Sequence, residues 1–262
     1  MGLVIFSVIL LGALFADQIV PYEAVLKQNA PNRLQVPSKD NWFGTDNFGR
    51  DLFARVLHAA PTSLFIGIIV SLVSLVIGGT LGIACGYYGG KFDNLVMRFL
   101  DMISALPGNL LALVIVAALG ANMRNMIISL IIGRIAPTAR LSRSVALSIS
   151  EQEYVEAARA GGSSDLRIIF KHCVPNASGT LIISTTMGIA SVILGAASLS
   201  FIGLGVQPPR PEWGAMLNEA RQYFRDSPHL MMIPGIAILL TSLSINMIGD
   251  GLRDSLDPKL KS

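Results

Sequence analysis

The chain has 262 residues, 52% hydrophobic and 14% charged, with a formal net charge of +3. Soluble domains carry about 25% charged residues; together with a mean hydropathy of +0.59, this composition excludes an ordinary soluble domain and points to a helical membrane protein. The 20 basic and 17 acidic residues form no basic run, so no nucleic-acid partner is expected. Continuous apolar runs, without alternation, exclude a transmembrane barrel.

Six apolar runs approach the roughly 20 residues that a helix needs to cross about 30 Å of hydrocarbon. They are Gly2 to Val20, Ser63 to Tyr88, Met102 to Leu119, Met126 to Leu147, Ala177 to Leu199 and Leu230 to Ile248. An all-α, polytopic bundle of about six spans is therefore expected. Asp17 and Gln18 interrupt the first run, and a cleaved signal peptide competes for it. No Lys or Arg precedes it and no small-x-small site closes it, which favours a retained helix.

The first long loop contains Trp42-Phe43-Gly44-Thr45-Asp46-Asn47-Phe48-Gly49-Arg50-Asp51. Gly44 and Gly49 frame a turn in which Asp46 and Asn47 can bond nearby backbone. A capped turn is expected, entering an interfacial helix from Leu52 to Ala60 with Trp42 as anchor. The motif reads as structural, ahead of direct solute contact.

A charged island, Tyr154 to Pro175, separates the fourth and fifth runs. Before Gly161-Gly162 the residues are helix formers with acidic groups in the first turn, where they favour the helix dipole. Glycine pairs end helices readily, and Ser163 or Ser164 can cap a second helix. Leu166, Ile169, Phe170 and Cys173 follow at helical spacing as one apolar stripe. Pro175 is expected to stop that helix before the fifth span.

A second long loop begins Ser200-Phe-Ile-Gly-Leu-Gly-Val-Gln-Pro-Pro-Arg-Pro-Glu-Trp-Gly. Gly203, Gly205, Pro208, Pro209 and Pro211 forbid a continuous helix. Irregular backbone near membrane depth must be covered by protein or line water. A non-helical cover over a translocation path is expected here, with Phe201 and Leu204 seeking apolar contact and Trp213 anchored at the interface.

Six spans put both termini on one side, with the island. That side holds eleven of the basic residues, including Lys259 and Lys261, and the other holds nine, most in long loops that translocate regardless of charge. The island is therefore expected to be cytoplasmic. No catalytic set is visible: His58, His172 and His229 are scattered, Cys85 and Cys173 make no metal cluster, and there is no phosphate-binding Gly-Lys-Ser/Thr loop.

The island's Glu156-Ala157-Ala158, followed after a three-residue spacer by Gly162 and then an apolar run to Pro175, resembles the EAA loop of ABC importer permeases. Gly44-Thr45-Asp46-x-x-Gly49-Arg50-Asp51, the Phe201-to-Gly214 stretch and the Gly249-to-Leu260 tail resemble the dipeptide, oligopeptide and nickel branch of that family. The short start departs from it, since members commonly have a longer N-terminus. The resemblance implies a type I ABC importer transmembrane domain in a bacterial inner membrane. Residues 1–62 would hold the first helix and extracytoplasmic loop, and 63–262 the core with its coupling loop at 151–175.

It further implies that Glu156, Ala157, Ala158, Gly162, Leu166, Ile169 and Pro175 couple to an ATPase. The partners would be a homologous second permease, two cytoplasmic ATP-binding subunits, an extracytoplasmic solute-binding protein and the lipid membrane. ATP and Mg would be bound by those subunits, with no cofactor or metal in this chain. The solute expected is a di- or oligopeptide or a similar small peptide such as glutathione, with nickel or a metal chelate as the alternative. A secondary transporter is the rival class, with Asp101 and its neighbour Arg98 the candidate ion-coupling pair.

Overall fold

The computed structural model describes residues 1–256; Lys259, Lys261 and the end of the tail motif lie outside the described residues. The main helices are α1 (Gly2–Leu14), α2 (Leu52–Tyr88), α3 (Gly90–Ser104), α4 (Gly108–Leu119) and α5 (Met123–Ser150). They are followed by α6 (Glu153–Ala160), α7 (Asp165–Phe201), α8 (Trp213–Ala220) and α9 (His229–Leu256).

The bundle is built on α2 lying parallel to α5. Gly78, Gly82 and Gly86 recur every four residues and so share one face of α2. A Cβ at Gly78 would stand 2.7 Å from the Ile135 carbonyl and one at Gly86 2.6 Å from that of Arg143, while one at Gly82 would collide with the Ala139 carbonyl. Helices in lipid gain little from apolar burial against each other, so small residues that let backbones touch drive their association. The α7 helix packs antiparallel to α2, α9 packs antiparallel to α7 and so runs parallel to α2, and α1 lies along α9 and the start of α2.

These directions give the bundle two ends. Ala13, Leu52 and Leu230 meet in one cluster with Trp213, so the loop at 21–51 and the segment after Phe201 share an end. At the other end Tyr87 Oη donates to Asp165 Oδ1 at 2.8 Å, fastening the island beneath α2.

Several expected boundaries move. The interfacial helix from Leu52 to Ala60 is the first part of the 37-residue α2, about 55 Å long at 1.5 Å per residue. Pro61 does not break it, because Leu52, Ala54, Ala59 and Leu64 around it are all buried and packing offsets the lost hydrogen bond. The division expected at 62/63 thus falls inside one helix. The third span is two helices, α3 and α4, bent by 75° around Ala105–Pro107. The first ends as a regular helix at Leu14.

Of the six expected spans, α2, α7 and α9 are each long and apolar enough to cross a membrane, and the bent pair makes a fourth. The α1 helix is only 13 residues. The α5 helix has the length, but Arg124, Arg134, Arg140 and Arg143 lower its hydropathy.

Gly82→Val should force the α2–α5 seam apart, at the cost of about 1–3 kcal/mol usual for overpacking. Gly235→Ala, in α9 with nothing within 4 Å of the new Cβ, should leave stability unchanged. Thermal unfolding of the detergent-purified protein checks the pair.

Candidate functional site

At the loop end the Gly44-to-Asp51 motif folds into a buried ionic cluster. Asp46, 4% exposed, accepts through Oδ1 from the backbone amides of Phe48 (2.8 Å) and Arg50 (2.9 Å). Its Oδ2 pairs with Arg50 Nε at 2.6 Å and Arg55 Nη1 at 2.7 Å. Glu219, on α8 and 169 residues away in sequence from Arg50, closes the ring with bonds of 2.6 Å to Arg50 Nη2 and 2.8 Å to Arg55 Nη1.

Local chemistry fixes the motif's shape. Gly49 takes φ +73° where a Cβ would collide with the Asn29 carbonyl. Thr45 Oγ1 accepts from the Gln35 amide at 2.9 Å and donates to the Asn32 carbonyl. Asp51 caps α2 by accepting from the Ala54 amide at 3.0 Å. Gly44, Thr45, Asp46, Gly49, Arg50 and Asp51 are thus brought into one unit. The partners Arg55 and Glu219 were not singled out in the sequence; the only hint was that each is a charge on a mainly apolar helical stretch.

Over this cluster lies the segment after Phe201, which is non-helical from 202 to 212. Gly205 and Val206 are buried, and the Val206 amide donates to Ser200 Oγ at 3.3 Å. Asn218 donates to the Phe201 carbonyl, tying α8 back to the end of α7. Pro208, Pro209, Asn47, Arg50, Asn218 and Glu219 line a surface cavity of about 400 Å³ where the two motifs meet.

Trp213 is not the interfacial anchor expected. It is 2% exposed and its indole Nε1 donates to the Val56 carbonyl at 3.1 Å, because helix α8 tucks its first turn between α2 and α7. The exposed tryptophan is Trp42, tilted at 50° against Phe53 with ring centroids 5.2 Å apart.

Glu212, which the sequence reading passed over, is 1% exposed and caps α8 by accepting from the Gly214 and Ala215 amides, each at 2.9 Å. Ser63 Oγ donates to the same carboxylate at 3.3 Å. Burial pushes its pKa up, and these hydrogen bonds only partly oppose that.

At the other end the island forms two helical arms. The α6 helix closes in a Schellman turn: the Ser163 amide donates to the Ala158 carbonyl (3.1 Å), and that of Gly162, at φ +80°, donates to the Arg159 carbonyl (3.0 Å). Ser164 stands at the N-cap of α7, although its hydroxyl makes no cap bond. Val155, Ile168 and Cys173 are fully buried against Ile83, Ala146 and Ile149.

Two expectations about the second arm are corrected. The single stripe of Leu166, Ile169, Phe170 and Cys173 is split: Ile169 and Cys173 are buried, while Leu166 is 64% and Phe170 70% exposed. Pro175 does not end the helix. A π turn at Ile169–Cys173 precedes it, with the Val174 amide bonding back to the Ile169 carbonyl. Widening the turn rotates the register of the buried face and leaves Pro175 in the first turn of the resumed α-helix, where an absent N–H costs least. The island is therefore continuous with α7 up to Phe201.

Glu156 and Ala157 are exposed and Ala158 half-buried. Asp101 pairs with Arg140 at 2.8 Å, one helix away from the expected Arg98, with both side chains open to the surface.

The structure is an all-helical membrane bundle with a charged helical elbow at one end and a buried ionic cluster at the other. The chain belongs to the family of binding-protein-dependent transport system inner membrane components, whose pattern matches residues 78–262.

It is 44% identical over 261 residues to the dipeptide transport system permease protein DppC of Alkalihalophilus pseudofirmus, covering 100% of this chain and 86% of that protein. It is also 44% identical over 250 residues to the glutathione transport system permease protein GsiD of Pectobacterium atrosepticum, covering 95% of this chain and 83% of that one. Among solved structures, two inward-facing forms of the MetNI methionine ABC transporter align with TM-scores of 0.62 and 0.65 at 19% and 18% identity. They cover 79% and 78% of this chain, and 96% and 97% of theirs. The fold is that of a type I ABC importer transmembrane domain, and the chain is a multi-pass transport permease.

Asp46→Ala should destabilise the loop end by about 3–5 kcal/mol, since it takes the most buried carboxylate from two buried guanidinium groups and also unpairs the Phe48 and Arg50 amides. Glu219→Ala should cost less, because Asp46 remains to hold both arginines and Glu219 is the more exposed partner. Proteolysis rates of the segment 21–51 should rank the two.

For Glu212 the unfolded segment releases its proton near the ordinary value of 4.5, whereas the folded one holds it to higher pH. Stability of this end should therefore fall as pH rises from 4.5 through the raised folded value. Glu212→Gln, which keeps an accepting oxygen, should remove that slope in a thermal-shift series across pH.

Proposed function

We propose that this chain is one permease subunit of an ATP-driven importer for di- or oligopeptides or a similar small peptide such as glutathione. The solute class follows from relatives named as dipeptide and glutathione permeases at 44% identity along almost all of the chain. The partners would be a homologous permease that completes the path, two ATP-hydrolysing subunits holding ATP and Mg, and an extracytoplasmic solute-binding protein. The island would face the cytoplasm, and both termini with it, in a bacterial inner membrane.

The observation that carries the mechanism is an exposed apolar pair on a continuous lever. Leu166 and Phe170 stand one turn apart and open to solvent, and Glu156 and Ala157 on the preceding arm are also exposed. Apolar side chains exposed this far mark a contact surface when they cluster beside a charged rim. Behind them Ile168 and Cys173 are locked into the bundle, and the same helix runs 37 residues to the covering segment. Closure of two ATPase subunits would pull on this surface, and α7 would carry the displacement to Phe201 without chemistry in this chain. Differential contact in two states is what such coupling requires.

In this reading Gly162 and Pro175 shape the elbow, Glu156, Ala157, Leu166 and Phe170 meet the ATPase, and Ile169 anchors the elbow to the bundle. Thr45, Asp46, Arg50 and Asp51 would hold the outer end rigid beneath the binding protein. Phe201, Gly203, Leu204, Gly205, Pro208 and Pro209 would form the cover.

A cysteine at Ala157 should crosslink to a co-expressed ATPase subunit and stay unlabelled by impermeant reagents in intact cells; efficient external labelling would overturn the orientation. Gly162→Val should lower ATP-coupled dipeptide uptake in proteoliposomes at least tenfold while membrane insertion persists, because a β-branched residue resists φ +80°.

A further inference from the structure

Arg134 sits halfway down the bundle. Its guanidinium fills the space that a side chain would take at Gly188, which lies midway along the Val174–Phe201 helix. Arg50, Arg55, Arg140 and Arg143 are each paired with a carboxylate, whereas Arg134 has no ion pair or side-chain hydrogen bond among the described residues. A cation at the centre of apolar spans is costly to place there, so such residues mark solute or ion paths more often than they serve packing.

The surroundings suit a guest. Arg134 lines a cavity of about 160 Å³ together with Asn109, Ser191 and the side-chain-free edges of Gly108, Gly133 and Gly195. The 75° break between α3 and α4 lies at the same height, which brings the start of the 12-residue α4 to the cavity. No side chain caps that helix, and its first intrahelical amide bond is Leu111 to Pro107. The amides of residues 108–110 therefore remain available, and a half-helix N-terminus in the membrane interior favours an anion.

We propose that this cavity is a transient binding site for a carboxylate of the passing solute, with Arg134 as its charged ligand and the α4 N-terminus as a second set of donors. The inference rests on the peptide-importer reading, since a short peptide with a free C-terminus brings one carboxylate that must cross the apolar middle of the bundle. Guanidinium and carboxylate pair through two parallel hydrogen bonds. An arginine with no carboxylate partner among the described residues can form that pair and release it.

The test uses the whole transporter with its second permease, ATPase subunits and binding protein in proteoliposomes, with radiolabelled dialanine as probe. For Arg134→Gln the complex should assemble and its binding-protein-stimulated ATPase should stay within about twofold of wild type. Dialanine uptake should fall at least tenfold, with Arg134→Lys between the two. Gly188→Leu, which displaces the guanidinium without removing its charge, should reproduce the loss. Equal uptake by wild type and Arg134→Gln would overturn the site. So would failure of Arg134→Gln to co-purify with the second permease, which would make a carboxylate of that subunit the arginine's partner. A wild-type complex that hydrolyses ATP but takes up no dialanine or glutathione would instead sink the peptide reading beneath it.

Discussion

Because Gly78, Gly82 and Gly86 present no side chains to α5, the two helices touch backbone to backbone over three successive turns. In lipid this close contact supplies the dispersion energy that apolar burial supplies in water. It also sets the height of everything attached to either helix. The start of α2 carries Arg55 and its end carries Tyr87, so one rigid rod fixes both the ionic cluster at the loop end and the fastening of Asp165 at the island end. The same contact holds α5 in the register that points Arg134 at Gly188.

The two ends are built by different physics. At the loop end four charges are taken out of water together, and each carboxylate meets more than one donor. Such a cluster adds little net stability but strongly penalises any arrangement in which one member is missing. That makes it a device for specifying a shape, here the docking of α8 and the covering segment onto the first loop. At the island end the elbow is held by apolar burial and one glycine turn, and its outer surface keeps Leu166 and Phe170 uncovered. In the proposed coupling, the frame between these two ends would act as the lever.

The π turn at Ile169–Cys173 decides which face of the island is which. An unbroken α-helical register would have placed Leu166 and Phe170 in the same stripe as Cys173. One widened turn moves Ile168 inward and leaves the other two outside. The apolar residues facing solvent are therefore the product of a local backbone irregularity just ahead of Pro175.

Much of this was legible in the sequence. Long uncharged runs require helices in lipid, because no other regular structure but a closed barrel satisfies its backbone there. Gly161-Gly162 placed the elbow, Gly203 to Pro211 placed the non-helical segment, and Asp46 with Gly49 placed the turn, all through local backbone preferences that act within a few residues. Contacts distant in sequence carry no such local mark. Nothing near Arg50 names Glu219 as its partner, Trp213 looks the same whether it meets headgroups or Val56, and Pro61 and Pro175 look like helix ends until packing and a π turn absorb them. Nothing in the residues around Arg134 marks its depth, and only the alignment of α5 with Gly188 and the broken α3–α4 pair places it halfway down the bundle. Periodicity and composition determine which segments are helical and apolar; which of their faces meet is decided by the packing of the whole chain.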